Sequence, residues 1–387
     1  MTIGSPRRAI TVLLCTGILL AGCAGGATQA PTAAPTAAPS AAPTPAPSAA
    51  PTPAPSAATG DLTGKKIAFL SQGASNEWAI QLDAVAQEAV KKTGAELVYF
   101  DANGNADNQV SQMEDAAALG VDAIVVVPLG AGALVGQSQR AMTSGIPVIN
   151  CVTSVADEAA YSSFVGWDWA TMYGQGMEWM AKELGGKGNI IMLNGMAGAG
   201  TSDLAEKAAK EVLKNYPDIK IVGEGYSDWS ISKAKQLTET FLAKGVQIDG
   251  VYANGGEPAT GAIQAFADAK KPMPILTGAT EQNGALRVLL ENKVKFYGIP
   301  SPPSASFTCV DVAAKAIRGE QLDKFYNMTE LGNFKDFTQA EVCQKYNPKY
   351  ADGYQEPTAQ YLTEDQLKAA NLLNPNYDPA ATVTCPW

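Results

Sequence analysis

Three observations predict an α/β fold of two doubly wound parallel-sheet lobes joined by a multi-strand hinge. From Lys66 onward, short continuous apolar runs alternate with segments of helical periodicity, the mark of a parallel sheet covered on both faces. The same order of runs recurs after Gly166-Trp167-Asp168-Trp169, so the body reads as two βα arrays of similar length. The chain has 387 residues, too many for one compact core.

The chain opens with Arg7 and Arg8, an apolar run from Ala9 to Leu20, and Ala21-Gly22 before Cys23. A basic start, a short apolar core and small residues mark an export signal; the core is too short for a stable spanning helix. From Ala24 to Gly60 the composition is almost entirely Ala, Pro, Thr and Ser. Such a segment buries no core and reads as an extended tether, reaching on the order of 100 Å at ~3.1 Å per residue.

The first array starts with a strand from Lys66 to Ser71. In the helix from Trp78 to Thr93, Trp78, Leu82, Val85, Ala86, Ala89 and Val90 recur at helical spacing. A strand from Leu97 to Phe100, a helix from Asn108 to Leu119 and an all-apolar strand from Ala123 to Val127 follow. A helix over 131–143, a strand from Pro147 to Asn150 and a short run from Ser163 to Val165 end the array. The second array takes helix 170–184, strand Asn189 to Leu193, helix 202–215, strand Ile219 to Val222 and helix 231–243. Strand Gly250 to Tyr252, helix 258–268, strand Pro274 to Leu276, helix 284–291 and strand Val294 to Ile299 complete it. Pro300-Ser301-Pro302-Pro303 is a stiff connector before helix 304–318, which returns to the first lobe. The remainder, from Gln321, is expected to wrap the surface, with one helix near 363–373.

The expected division is thus a signal over 1–22, a tether over 23–60, a first lobe over 61–166 and 301–325, and a second lobe over 167–300 with part of 326–387. In doubly wound sheets ligands sit at the carboxyl ends of strands, which selects the loops 71–78, 127–131, 150–155, 194–201, 226–230, 253–257 and 278–282.

Composition excludes several function classes. The formal net charge is −10, against a nucleic-acid partner, since phosphate binding needs concentrated Lys and Arg. There is no histidine, which removes the Ser-His-Asp triad, His general bases and His-ligated zinc. No close Cys pair supplies metal-ligand spacing, so neither metal nor cofactor is expected. Gly195 to Gly200 follows a strand, yet lacks the order of a dinucleotide loop and the Lys-Ser/Thr ending of a phosphate loop.

Taken together, these residues resemble the type I periplasmic binding proteins, specifically the ribose-binding-protein-like solute receptors of ABC importers. The resemblance runs from about Lys65 to Phe325. It rests on Ser75-Asn76-Glu77-Trp78 after the first strand, on Gly166-Trp167-Asp168 with Gly174, and on Tyr216 to Ile219. Asp228-Trp229 and Ile248 to Val251 follow in the family's order. Leu20-Ala21-Gly22-Cys23 resembles the bacterial lipoprotein box, which implies acylation of Cys23 and anchoring to the cell membrane.

Carried over residue by residue, the resemblance implies that Gln72, Asn76 and Trp78 face the ligand from the first lobe and Trp229 from the second. The two Trp would sandwich a sugar ring while polar groups bond its hydroxyls. Further candidates are Asn150, Trp167, Asp168, Trp169, Asn254, Glu257, Thr280 and Glu281. Of Trp167 and Trp169, one is expected to line the cleft and the other to pack. Asp168 is equally placed to cap the following helix, and Glu257 to sit in a first helical turn. Val152-Thr153, Gly255-Gly256-Glu257 and Gly278-Ala279-Thr280-Glu281 depart from the family's Asp-Arg, Asn-Asp and Gly-Phe-Asp. The implied cleft is more aromatic and less charged than a standard monosaccharide pocket.

With Cys15 removed and Cys23 acylated, Cys151, Cys309, Cys343 and Cys385 remain, which allows three pairings. Cys151–Cys309 is expected within the first lobe and Cys343–Cys385 in the tail. The function expected is a monomeric, lipid-anchored, non-enzymatic solute receptor that closes on a small carbohydrate-like ligand by bending near 167–168, 300–301 and 326, then docks on a membrane permease. Alternatives are a sensor coupled to a membrane signalling receptor, or an extracellular hydrolase using Asp168 with Glu257 or Glu281.

Overall fold

The computed structural model describes residues 61–73, 76–279, 282–328, 342–343 and 345–379. The first array runs β1 (Lys66–Ser71), α1 (Glu77–Thr93), β2 (Glu96–Asp101), α2 (Ala106–Ala118), β3 (Ala123–Val126), α3 (Val135–Thr143), β4 (Val148–Val152) and β5 (Ser163–Gly166). The second runs α4 (Trp169–Glu183), β6 (Lys187–Asn194), α5 (Gly200–Leu213), β7 (Asp218–Tyr226), α6 (Ile231–Leu242), β8 (Gly250–Ala253), α7 (Gly256–Asp268), β9 (Ile275–Ala279), α8 (Asn283–Glu291) and β10 (Phe296–Gly298). Then come α9 (Ala305–Ile317), β11 (Phe325–Asn327) and α10 (Glu364–Ala369).

Two parallel sheets result, ordered β11-β5-β4-β3-β1-β2 and β10-β9-β8-β6-β7. Each array winds outward in both directions from its first strand, so β1/β3 and β6/β8 mark the points where strand order reverses. Both faces of the central strands are buried, as the continuous apolar runs require. Ile67 and Phe69 of β1 pack toward one core, while Ala68 and Leu70 pack toward another that holds Met113, Ile124 and Leu134. The outer face of the second sheet packs Ile191, Leu193 and Val251 against Phe241, Ile263 and Phe266. One core is continuous from β1 and α9 through Trp167, Met172 and Met177 to Met192 and Tyr252.

Local boundaries move for local reasons. The helix expected over 131–143 begins at Val135, because Gly130 and Gly132 lie in the preceding turns. The strand expected to end at Asn150 continues to Val152, whose φ of 69° turns the chain there. The helix expected near 363–373 is confined to Glu364–Ala369, opened by a capping box between Thr363 and Gln366. Gly278, at φ 97°, lies so close to the end of β8 that an added Cβ would stand 1.5 Å from the Ala253 carbonyl oxygen, so only glycine fits.

Two expectations about the end of the chain need correction. Phe325–Asn327 was expected at the start of a surface tail; it is instead an edge strand of the first sheet, pairing with β5. Three residues are too few to show a strand period, and its main apolar tie, Phe325 stacked on Phe164 at 4.9 Å, is non-local. The segment beyond 345 is also more than a surface wrap. Tyr354, Tyr361, Leu362 and Leu367 are buried in the core that holds α9.

Cys151 of β4 is disulfide-bonded to Cys309 of α9, with Cα atoms 5.6 Å apart across 158 residues. Ser306 of α9 also donates to the Leu82 carbonyl of α1 at 2.7 Å, fixing the helix on the first sheet. Cys343 is disulfide-bonded as well; Cys385, its expected partner, lies outside the described residues, as does Cys23. In a chain-entropy view, closing the long Cys151–Cys309 loop restricts the unfolded state. Replacing both Cys151 and Cys309 by Ser is expected to cost roughly 2–5 kcal/mol of stability, read from urea unfolding without reductant. An unchanged midpoint would remove the bond from any stabilising role.

Candidate functional site

A cavity of about 110 Å³ lies where carboxyl ends of strands from both sheets converge. The first sheet contributes Gln72 after β1, Val127-Pro128-Leu129 after β3, and Val152-Thr153 after β4. Met196, Ala199 and Thr201 follow β6, Asp228-Trp229 follow β7, and Asn254, Gly255 and Glu257 follow β8. Asn76 and Trp78 open α1, Trp169 and Tyr173 open α4, and Ser301 and Gln355 complete the wall with Gly104.

The loops are tied back to the sheets by buried polar side chains. Ser71 Oγ donates to Asp83 at 2.8 Å and accepts from the Gly73 amide at 2.9 Å, which shapes the turn bearing Gln72. Asp83 also accepts from the Tyr99 hydroxyl at 2.7 Å; burial pushes its carboxyl up to about 6, against those two hydrogen bonds. Gln109 of α2 is fully buried. Its amide donates to the Val127 carbonyl at 2.8 Å and accepts from the Leu129 amide at 2.9 Å, so one side chain holds both ends of the turn after β3.

Trp229 is held at a cost in backbone geometry. Asp228 and Trp229 both have left-handed backbone, at φ 51° and 50°, a conformation non-glycine residues rarely adopt. The Ser227 and Asp228 amides donate to the Asn194 and Gly195 carbonyls, and Trp229 Nε1 donates to Asn254 Oδ1 at 2.8 Å. The ring lies on Gly195, where an added Cβ would approach it to 2.5 Å. The neighbouring Asp228 carboxylate is paired with Lys233.

Of the candidates read from the sequence, Gln72, Asn76, Trp78, Trp169, Trp229, Asn254 and Glu257 are brought to this one cavity. Trp78 Nε1 donates to the Ser301 carbonyl at 2.7 Å, linking α1 to the connector after β10. Trp169 Nε1 donates to the Val152 carbonyl at 2.9 Å, and its ring lies 6.1 Å from that of Tyr173. Asn76 doubles as the cap of α1, accepting from the Ala79 amide at 2.9 Å.

Three expected ligand contacts are placed elsewhere. Trp167 is core, 1% exposed, and meets Trp169 ring to ring at 5.0 Å. Of the neighbouring pair, Trp169 faces the cavity. Asp168 does not line the cavity; it caps α4, accepting from the Thr171 amide at 3.0 Å and the Thr171 hydroxyl at 2.6 Å. Asn150 is fully buried within β4, one residue before the disulfide and outside the lining. Thr280 and Glu281 lie outside the described residues.

Sequence reasoning missed Tyr173 and Gln355. Tyr173 carried a usable signal, because it lies four residues after Trp169 on the same helical face. Gln355 carried none, being in a segment without periodicity.

Glu257, in the first turn of α7, is 6% exposed, and burial pushes its carboxyl up to about 7. Gln282 Nε2 stands 3.4 Å from its Oε1. Because the folded value lies above the unfolded one near 4.5, the native state holds a proton there that the unfolded chain has released. This contribution to stability is therefore full below pH 4.5 and is lost as pH rises to about 7. Glu257→Gln is expected to match the wild type near pH 4.5 and to gain on it up to about pH 7.5, levelling at about 3 kcal/mol. Paired urea unfolding at four pH values checks this; a gap independent of pH would contradict it. Among the described residues no group of three or more His, Cys, Asp or Glu side chains is placed to hold a metal ion.

The same architecture recurs among known proteins. A family model described as periplasmic binding protein domain matches residues 67–321. A xylitol-binding protein of Mycolicibacterium smegmatis is 29% identical over 285 residues, 73% of this chain and 80% of that protein. A galactofuranose-binding protein of Escherichia coli is 31% identical over 224 residues, 56% of this chain and 70% of that protein. The crystal structure of an ABC transporter solute-binding protein from Bacillus halodurans with bound myo-inositol superposes with a TM-score of 0.67 at 26% identity, covering 74% of this chain and all of that one. The two parallel sheets of this chain and the match over 67–321 together mean that it belongs to the periplasmic binding protein family, as a type I solute-binding receptor.

Proposed function

We propose that this receptor serves an ABC importer and takes a small, uncharged, hydroxyl-rich ligand, a furanose or polyol. The observation that carries the reading is the composition of the cavity wall. Trp78, Trp169, Tyr173 and Trp229 supply ring faces for C–H surfaces, and Gln72, Asn76, Thr153, Thr201 and Asn254 supply amide and hydroxyl groups for ligand hydroxyls. Its charge is low: Asp228 is neutralised by Lys233, and Glu257 sits near half-protonation at neutral pH. The named ligands of the relatives, xylitol, galactofuranose and myo-inositol, are all of this class. The hydrolase alternative loses support, because Asp168 is spent on capping α4 outside the cavity.

The two lobes then close on the ligand by bending near 167–168 and 300–301, with closure driven by the ligand's higher affinity for the closed form. Acylation of Cys23 tethers the receptor to the membrane through the Pro- and Ala-rich segment, and the closed form docks on a permease.

Thermal unfolding against pentoses, hexoses, polyols, nucleosides and quaternary amines tests the ligand class. A true ligand at ~100 times its dissociation constant adds about 2.7 kcal/mol, which moves the midpoint by several degrees. An aldose or polyol is expected to give the shift, and Trp229→Ala to abolish it. Shifts with nucleosides or quaternary amines alone would overturn the assignment.

A further inference from the structure

The segment 347–355 lies beyond the residues matched by the family model, yet it reaches the cavity wall. It is fastened to both arrays. On the first, Gln81 of α1 donates to the Gly353 carbonyl at 2.7 Å and accepts from the Gln355 amide at 2.9 Å. Gly353 packs so closely on α1 that an added Cβ would come within 2.5 Å of Glu77 Cγ. On the second, Asn283 of α8 donates to the Asn347 and Tyr350 carbonyls at 3.0 and 2.9 Å. The Asn283 and Gly284 amides donate to the Tyr354 and Asp352 carbonyls at 2.7 Å, and Arg287 binds Asp352 through two nitrogens. Gln355 also forms an isolated antiparallel bridge with Gln282, whose side chain approaches Glu257.

Apart from the Arg287–Asp352 pair, these bonds engage the backbone around Gln355, and none of them uses its side chain. That side chain is 1% exposed, and neither Oε1 nor Nε2 has a hydrogen-bond partner among the described residues. A buried amide without partners is costly, and the strap rules out a move to solvent. It lines the same cavity as Glu257 and Trp78.

We infer that Gln355 is a ligand-binding residue: its carboxamide, delivered to the cavity by a strap fixed to both arrays, recognises a ligand hydroxyl by donating through Nε2 and accepting through Oε1. A hydroxyl fits because it both donates and accepts; a ring nitrogen or quaternary amine does one or neither. The inference rests on the hydroxyl-rich ligand proposed above and names which residue outside the family body selects for it.

The test is titration calorimetry on the full chain with xylitol, myo-inositol, L-arabinose, D-galactose and D-allose, using Gln355→Met and Trp229→Ala. Methionine keeps the buried volume, leaves the backbone bonds of the strap in place and removes the unpartnered amide, so the unfolding midpoint without added probe is expected to hold or rise. Affinity for the probe that binds is expected to fall roughly ten- to thirtyfold in Gln355→Met. A deoxy analogue of that probe lacking the recognised hydroxyl is expected to bind wild type and Gln355→Met equally. If Trp229→Ala weakens binding while Gln355→Met binds as wild type does, Gln355 is packing only and this inference falls, with the proposed ligand class intact. If Gln355→Met instead lowers the midpoint without probe and weakens every deoxy analogue as much as the parent, its role is structural. If none of the five probes binds the wild type, the ligand class falls and the inference with it.

Discussion

A parallel sheet covered on both faces leaves its irregular backbone only at the strand ends. From Ile67 in β1, Ala123 in β3, Ile190 in β6 and Gly250 in β8, each strand runs buried on both faces to its carboxyl end, its backbone in the ladder. Chemistry is therefore restricted to the loops that leave the carboxyl edges, and both sheets present those edges to one cavity. The polar groups behind the wall follow from the same restriction. Gln109, Asp83 and Ser227 are buried side chains whose hydrogen bonds stand in for the ladder where it stops.

The cavity that results is aromatic and nearly neutral. Binding strength in such a site comes from ring faces laid against C–H surface and from amides and hydroxyls that exchange water for ligand hydroxyls. Fixed rings matter for this, because a ring that must be ordered on binding gives up part of its gain in lost freedom. Trp78, Trp169 and Trp229 each spend the indole N–H on a protein oxygen, which fixes the ring before any ligand arrives.

The fold was legible because long apolar runs and helical periods are local signals. The carboxyl-end rule then selected most of the wall without any contact information. What failed was of two kinds. Within Gly166-Trp167-Asp168-Trp169, composition showed two rings and an acid but not their directions. Trp167 turned into the core, and Asp168 was taken by the Thr171 amide and hydroxyl in the first turn of α4. Beyond residue 321 the signals are non-local: β11 is recognisable only by its pairing with β5, and Gln355 is placed by side chains near residues 81 and 283. No window along the sequence contains both halves of those bonds.

The first sheet is assembled from distant stretches of chain. Its β5 edge is covered by β11, and Cys151 is bridged to a residue 158 positions later. A chain emerging from its N-terminus makes the strands β1 to β5 early but cannot cap that edge until some 160 further residues have appeared. The second sheet, by contrast, is one uninterrupted stretch and can complete itself as soon as β10 is out. During that interval β5 offers unpaired backbone to any passing strand, which is the usual route to aggregation. Secretion in an unfolded form followed by folding of the whole chain at once would shorten that interval, so the order of strands makes the molecule better suited to crossing a membrane first and folding afterwards.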